Sequence, residues 1–172
     1  METRLQRADE YPVWKTIRLG VLPSADALRT ALLATGCKIV DYSRVVDRML
    51  DGVVVAAKPM DVELVRVTPV KLGLRDRASW DMIWRSAWEL GFKRCLAEVG
   101  PQLRLQYPEQ RGREWVLVGC EERFVSKDRT LVIPTVFAVV SELGWGGGLY
   151  LSSSAGDPPG FWEPTSQWVF CR

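Results

Sequence analysis

An α+β fold is what this sequence predicts, and three observations carry the prediction. Helix-spaced apolar stripes fall mostly before residue 92, alternating apolar segments fall mostly after it, and Gly/Pro turn signals separate those late segments. The expected architecture is two or three early helices packed on a mostly antiparallel sheet formed largely by the C-terminal half. Residues 1–172 are read as one domain, helix-rich over 1–92 and strand-rich over 93–172.

Tyr11–Gly20 is rich in aromatic and β-branched residues and predicts a first strand. Pro23 and Ser24 then open a helix. Ser24 can cap the free N–H groups, Asp26 suits the positive N-terminal end, and Gly36 supplies a left-handed stop. A second helix is expected from Asp41, with Tyr42, Val45, Val46, Met49 and Leu50 at core-facing spacing and Asp51-Gly52 at its end. Val53–Ala57 is a short apolar run, and Val62–Thr68 predicts a strand bounded by Pro59 and Pro69. Ser79–Gly91 carries Trp80, Ile83, Trp84, Ala87 and Trp88 on one stripe, which predicts a helix with all three indoles in the core.

Beyond Phe92 strands are expected at Leu103–Tyr107, Trp115–Cys120, Leu131–Val140, Leu149–Leu151 and Gln167–Cys171. Pro134 predicts an edge or bulge in the longest of them. Gly144–Gly148 and Asp157–Gly160 are tight connections.

Composition limits function. Hydrophobic residues are 47% of the 172 and charged residues 26%, so both a core and a solvated surface are available. A net charge of +2, with the 23 Lys and Arg dispersed, gives no polyanion signature. No segment reaches the roughly 18 to 20 apolar residues that cross a bilayer, and Met1–Glu10 is too charged for a signal peptide. Cys37, Cys95, Cys120 and Cys171 lack any CxxC pairing, so free thiols in a cytoplasmic protein without bound metal are expected. The chain contains no histidine. That removes the Ser-His-Asp triad, the Cys-His dyad and imidazole acid-base chemistry together.

Two groups of residues are candidates for a site. If Gln102–Tyr107 is extended, Gln102, Arg104 and Gln106 share one face and Leu103, Leu105 and Tyr107 the other, with Glu98 placed to pair with Arg104. An amide–guanidinium–amide row suits carboxylate, phosphate or peptide groups. The second group is aromatic: Trp145, Tyr150, Phe161 and Trp162, with Trp168, lie in or beside Gly/Pro-rich loops that can present rings to a partner. Other motifs fall short. Asp61 and Glu63 are too few for a magnesium site, Glu121 and Glu122 face opposite sides of a strand, and GWGGG lacks the phosphate-loop pattern.

AEVGPQLRLQYPEQ (Ala97–Gln110), EWVLVG (Glu114–Gly119), GGLYL (Gly147–Leu151) and FWEPTSQWVF (Phe161–Phe170) together resemble a small uncharacterised domain family of bacterial proteins. The resemblance covers the chain from about Trp14 onward and implies a bacterial origin, with no activity, cofactor or site residue to carry over.

The first expectation for function is therefore a non-enzymatic, cofactor-free binding module that recognises a macromolecule, another protein above all. The second is a histidine-free carboxylate-dependent hydrolase or transferase using Glu98 as acid or base and Arg104 as anion holder. The third is single-stranded nucleic-acid binding through loop aromatics and Arg.

Overall fold

The computed structural model describes residues 6–40, 45–120, 123–125, 132–141 and 147–172. Asp41 and Tyr42, Glu121 and Glu122, and Trp145 lie outside them. Four helices, α1 (Ala25–Ala34), α2 (Val45–Asp51), α3 (Trp80–Glu89) and α4 (Val99–Gln106), are described. The strands are β1 (Lys15–Leu19), β2 (Lys38–Ile39), β3 (Met60–Val67), β4 (Ala78–Ser79), β5 (Trp115–Val118) and β6 (Arg123–Val125). They continue with β7 (Val132–Pro134), β8 (Val136–Ser141), β9 (Leu149–Ser154), β10 (Phe161–Trp162) and β11 (Gln167–Cys171).

One sheet of seven strands runs in the order β1-β3-β11-β5-β8-β9-β2. It is mixed: β11 beside β5 and β9 beside β2 are parallel, and the other neighbours are antiparallel. β4 pairs with β10, and β6 with β7, in separate two-stranded sheets.

Strand alternation sorts the apolar residues into two cores on opposite faces. On β11, Val169 and Cys171 join Val116, Val118, Phe137 and Val139 beneath Leu28, Leu32, Met49, Leu50, Val99 and Leu103 of α1, α2 and α4. Trp168 and Phe170 turn the other way, to Leu117, Ala138 and Val140 and to Trp80, Ile83 and Ala87 of α3. The aromatic rings on that side stack closely, with Trp80 and Trp168 centroids 5.5 Å apart.

Helix ends follow local chemistry. Ser24 accepts the Ala27 N–H at 3.1 Å, and Ser79 accepts that of Met82 at 3.3 Å. Gly36 and Gly91 follow α1 and α3 at φ +77° and +94°.

Several expectations need correction. Leu103–Tyr107 is not a strand; it lies in or directly after α4. Gly100 and Pro101 occupy the first turn of that helix, where a missing proline N–H costs nothing because it would have no helical partner anyway. α4 thus adds a helix to the later half, and three of the seven strands of the main sheet, β1, β2 and β3, come from 1–92. The run Leu131–Val140 divides at Thr135, with Pro134 ending β7 and β8 joining the main sheet. Only Trp80 of the α3 indoles is fully buried: Trp84 is half-buried against Arg94, whose guanidinium lies 4.5 Å from its ring centroid, and Trp88 is 65% exposed.

Candidate recognition cleft

The polar row expected at 102–106 becomes a helical ladder instead. A four-residue spacing puts Glu98, Gln102 and Gln106 on one side of α4. Gln102 donates to Glu98 at 3.2 Å and Gln106 to Gln102 at 2.9 Å. Glu98 also accepts the backbone N–H groups of Gly20 and Ala56, both at 2.8 Å, and is completely buried. Gln106 finishes the ladder by accepting the Arg18 N–H at 2.9 Å and donating to the Arg18 carbonyl at 2.8 Å. The ladder joins α4 to the end of β1 and the loop before β3, and its hydrogen-bonding groups serve the chain itself.

Arg104 aims elsewhere. Its guanidinium donates to the Gln110 side chain, the Tyr107 carbonyl and, at 3.4 Å, the Val140 carbonyl. The expected Glu98–Arg104 pair does not form, because two positions six apart on a helix face different sides. Burial draws the Arg104 pKa down, while Cys37, Tyr107, Glu109 and Glu114 act against that shift. Glu98 and Arg104 therefore share no site that a substrate could enter. Asp61 and Glu63 pair with Arg18 and Arg172 at 3.6 and 2.7 Å.

A second region is open. Where the parallel strands β5 and β11 begin, on the α3 side of the sheet, a cleft of about 340 Å³ lies between the strand ends and the 154–163 segment. Trp115 and Leu117 point to the same side of β5. Leu117 is buried, whereas Trp115 is 42% exposed. Trp162 forms part of the lining, fixed edge-on against Trp168 at 5.3 Å and by its indole N–H to Ser154 Oγ at 3.1 Å. Gln167 is held by Arg66 Nε at 3.1 Å, and Arg66 in turn pairs with Glu114 at 2.6 Å. Ser166 donates to the Glu163 carbonyl at 2.6 Å and accepts the Trp168 indole N–H at 3.0 Å.

Two carboxylates complete the lining. Glu163 is ion-paired with Arg77. Asp157 is exposed, and among the described residues its carboxylate makes no hydrogen bond or close ion pair. The Arg77 pKa is raised first by its hydrogen bond to Glu163, with a smaller contribution from the charge of Asp157. The cleft thus combines indole surface with negative charge.

The aromatic candidates divide. Trp162 lines the cleft. Phe161 is 43% exposed on β10 beside it, but does not line it. Tyr150 is buried, its hydroxyl donating to the Gly147 carbonyl at 3.4 Å and Lys38 lying 5.3 Å from its ring centroid. Trp168 is fully buried. Trp145 lies outside the described residues. Sequence reading missed Trp115, Ser154, Asp157, Glu163, Ser166 and Gln167. The available signal was Trp115 and Leu117 on the same strand face, together with Asp157 in a turn only a few residues from Trp162.

No family model, curated protein or solved structure matches the chain.

Proposed function

We propose that the chain is a non-enzymatic binding module that takes a segment of a partner protein in this cleft, anchored by a Lys or Arg side chain of the partner. The observation that carries the reading is the meeting of the exposed Trp115 ring, the largely buried Trp162 and the exposed carboxylate of Asp157 at one opening. An indole face attracts a cation, and a nearby carboxylate adds charge complementarity; together they favour a basic side chain with an aliphatic stem. The same carboxylates oppose a phosphodiester backbone, which weighs against the nucleic-acid alternative. The lack of histidine and the separation of Glu98 from Arg104 weigh against the enzyme. Among the described residues no helix is long and apolar enough to cross a membrane. The proposal sets the protein in the cytoplasm, a reading supported by its four buried free cysteines.

Selection from a random peptide display library tests this, with a glycan array probed in parallel. Peptides carrying Lys or Arg beside an apolar residue are the expected result. Trp115→Ala should weaken the selected peptides by roughly tenfold or more, in the range of an aromatic hot spot. Asp157→Asn should weaken them and flatten the salt dependence. Selection of acidic peptides, or of glycans with no peptide enriched, would overturn the reading.

A further inference from the structure

Apart from the cleft, two thiols from different segments of the chain lie in contact. We propose that Cys95 and Cys171 are an oxidisable dithiol: a hydroperoxide converts the Cys171 thiol to a sulfenic acid, and Cys95 condenses with it to give an intramolecular disulfide.

The two sulfurs lie 3.4 Å apart, the Cys171 thiol donating to the Cys95 sulfur. A disulfide bond is about 2.05 Å long, so each sulfur has only about 0.7 Å to travel. The backbone on both sides is already fixed. Lys93 and Cys171 exchange both of their backbone hydrogen bonds, at 2.8 and 2.9 Å, and the Cys95 N–H donates to the Gly119 carbonyl at 3.0 Å. Cys95 therefore stands beside β11 in the reduced protein, and closure requires no rearrangement of strands.

The two thiols differ in ways that assign their roles. Cys171 is 9% exposed and Cys95 5%. The Cys171 pKa is lowered, first by the hydrogen bond with Cys95 and also by the charge of Lys93, against the opposing effect of burial. The Cys95 pKa is raised, chiefly by burial, with the hydrogen bond to Cys171 and the charges of Cys171 and Cys120 adding to it. Arg172, the residue after Cys171, pairs with Glu63 at 2.7 Å. Cys171 is thus the attacking thiolate and Cys95 the partner that condenses with the oxidised sulfur.

The chemistry balances. The Cys171 sulfur attacks the terminal oxygen of the hydroperoxide and the O–O bond breaks. The departing alkoxide takes the thiol proton as alcohol, or as water when the oxidant is hydrogen peroxide. The Cys95 sulfur then displaces hydroxide from the sulfenic sulfur, and water leaves with the Cys95 proton. Two thiols have been oxidised and one peroxide reduced.

The test is hydrogen peroxide added to the purified, reduced chain, followed by alkylation, denaturation and non-reducing peptide mapping. The expected product joins the Cys95 and Cys171 peptides, has lost two hydrogens, leaves Cys37 and Cys120 alkylated, and reverts with dithiothreitol. In Cys95→Ser a dimedone adduct should accumulate on Cys171, several-fold above labelling of Cys37. In Cys171→Ser, Cys95 should stay alkylatable at the same dose. A Cys95–Cys120 disulfide, sulfinic acid on Cys171 beside a free Cys95 in the wild-type chain, or oxidation of Cys37 ahead of Cys171 would each overturn the proposal.

Discussion

Gly100 of α4 lies directly against the ring of Phe137 in β8: a Cβ at Gly100 would fall 2.5 Å from Phe137 Cγ and Cδ2 and 2.8 Å from its Cβ. That separation is far inside van der Waals contact, and Phe137 is fully buried and cannot swing away. α4 sits as close to the sheet as it does because one of its residues has no side chain. Gly100→Ala is expected to destabilise by about 1 to 3 kcal/mol, the overpacking cost outweighing the gain of roughly 1 kcal/mol in helix propensity. Urea unfolding measures it, and an unchanged or higher midpoint would show that α4 can move off the sheet.

The same residue explains what was legible in the sequence. α1 and α3 were readable because Ser24, Gly36, Ser79 and Gly91 mark their ends and each helix has an apolar stripe. In α4 the markers mislead. Gly100-Pro101 resembles a break, and the alternation of Leu103, Arg104, Leu105 and Gln106 imitates a strand because its helix buries polar side chains on two sides. The competing signal was present: Glu98, Gln102 and Gln106 recur every four residues, as do Val99 and Leu103. The cleft was less legible still. Trp115 and Trp162 are far apart in sequence, and only the parallel pairing of β5 with β11 brings the strand ends together near the 154–163 segment.

Glu98 is expected to be a structural keystone. Glu98→Ala removes the acceptor from two backbone N–H groups and from Gln102, in a place where the residue is fully buried. Each donor left unsatisfied costs roughly 1 to 3 kcal/mol, so a total of about 3 kcal/mol or more is expected. Glu98→Gln keeps the shape but turns an NH2 group toward one of the N–H donors, and should cost less than alanine does. Equilibrium unfolding of both variants checks the order. Equal stability of Glu98→Gln and wild type would mean that the ladder does not need the carboxylate.

The α3 indoles should separate by burial. Trp80→Ala removes a fully buried ring that packs on Trp168 and Phe170, and about 3 to 5 kcal/mol is expected. Trp88→Ala removes an exposed one and should stay within about 0.5 kcal/mol. Trp84→Ala, which uncovers Arg94, should fall between them. Urea midpoints for the three variants suffice; a large loss for Trp88 would return it to the core.

Tyr107 gives a pH dependence with a definite sign. Burial raises its pKa first, and its hydrogen bond to Glu114 Oε2 at 3.0 Å raises it further, since ionisation would set phenolate against carboxylate. The raised folded value means that the unfolded chain loses this proton first as pH rises. Stability from this group is complete below the ordinary tyrosine value near 10, and falls as pH climbs through the higher folded value. Tyr107→Phe should lessen that alkaline loss. Thermal melts of both proteins from pH 8 to about 11 test it, and parallel curves would remove Tyr107 as a contributor.

Arg104 makes the sharpest contrast between the two roles a guanidinium can have. Held on an exposed strand between two glutamines, it would have been a ligand anchor; in α4 it is a buried brace for the turn after the helix and the end of β8. It reaches Gln110, the Tyr107 carbonyl and the Val140 carbonyl from two nitrogens, and Gln110 extends the network to the Val139 carbonyl at 3.1 Å. Arg104→Lys preserves the charge but offers its donors from one point, which cannot serve acceptors spread around a planar fork. An ammonium is also harder to desolvate than a guanidinium, and burial already acts against charge here. We therefore expect Arg104→Lys to lower stability by about 1 to 3 kcal/mol, as buried acceptors lose their donors. Peptides selected on the Trp115 cleft should bind this variant with unchanged affinity at a temperature where it remains folded. Thermal melts and titration calorimetry on the one variant separate the roles. A preserved melting temperature with lost peptide affinity would move Arg104 out of the scaffold and into the site.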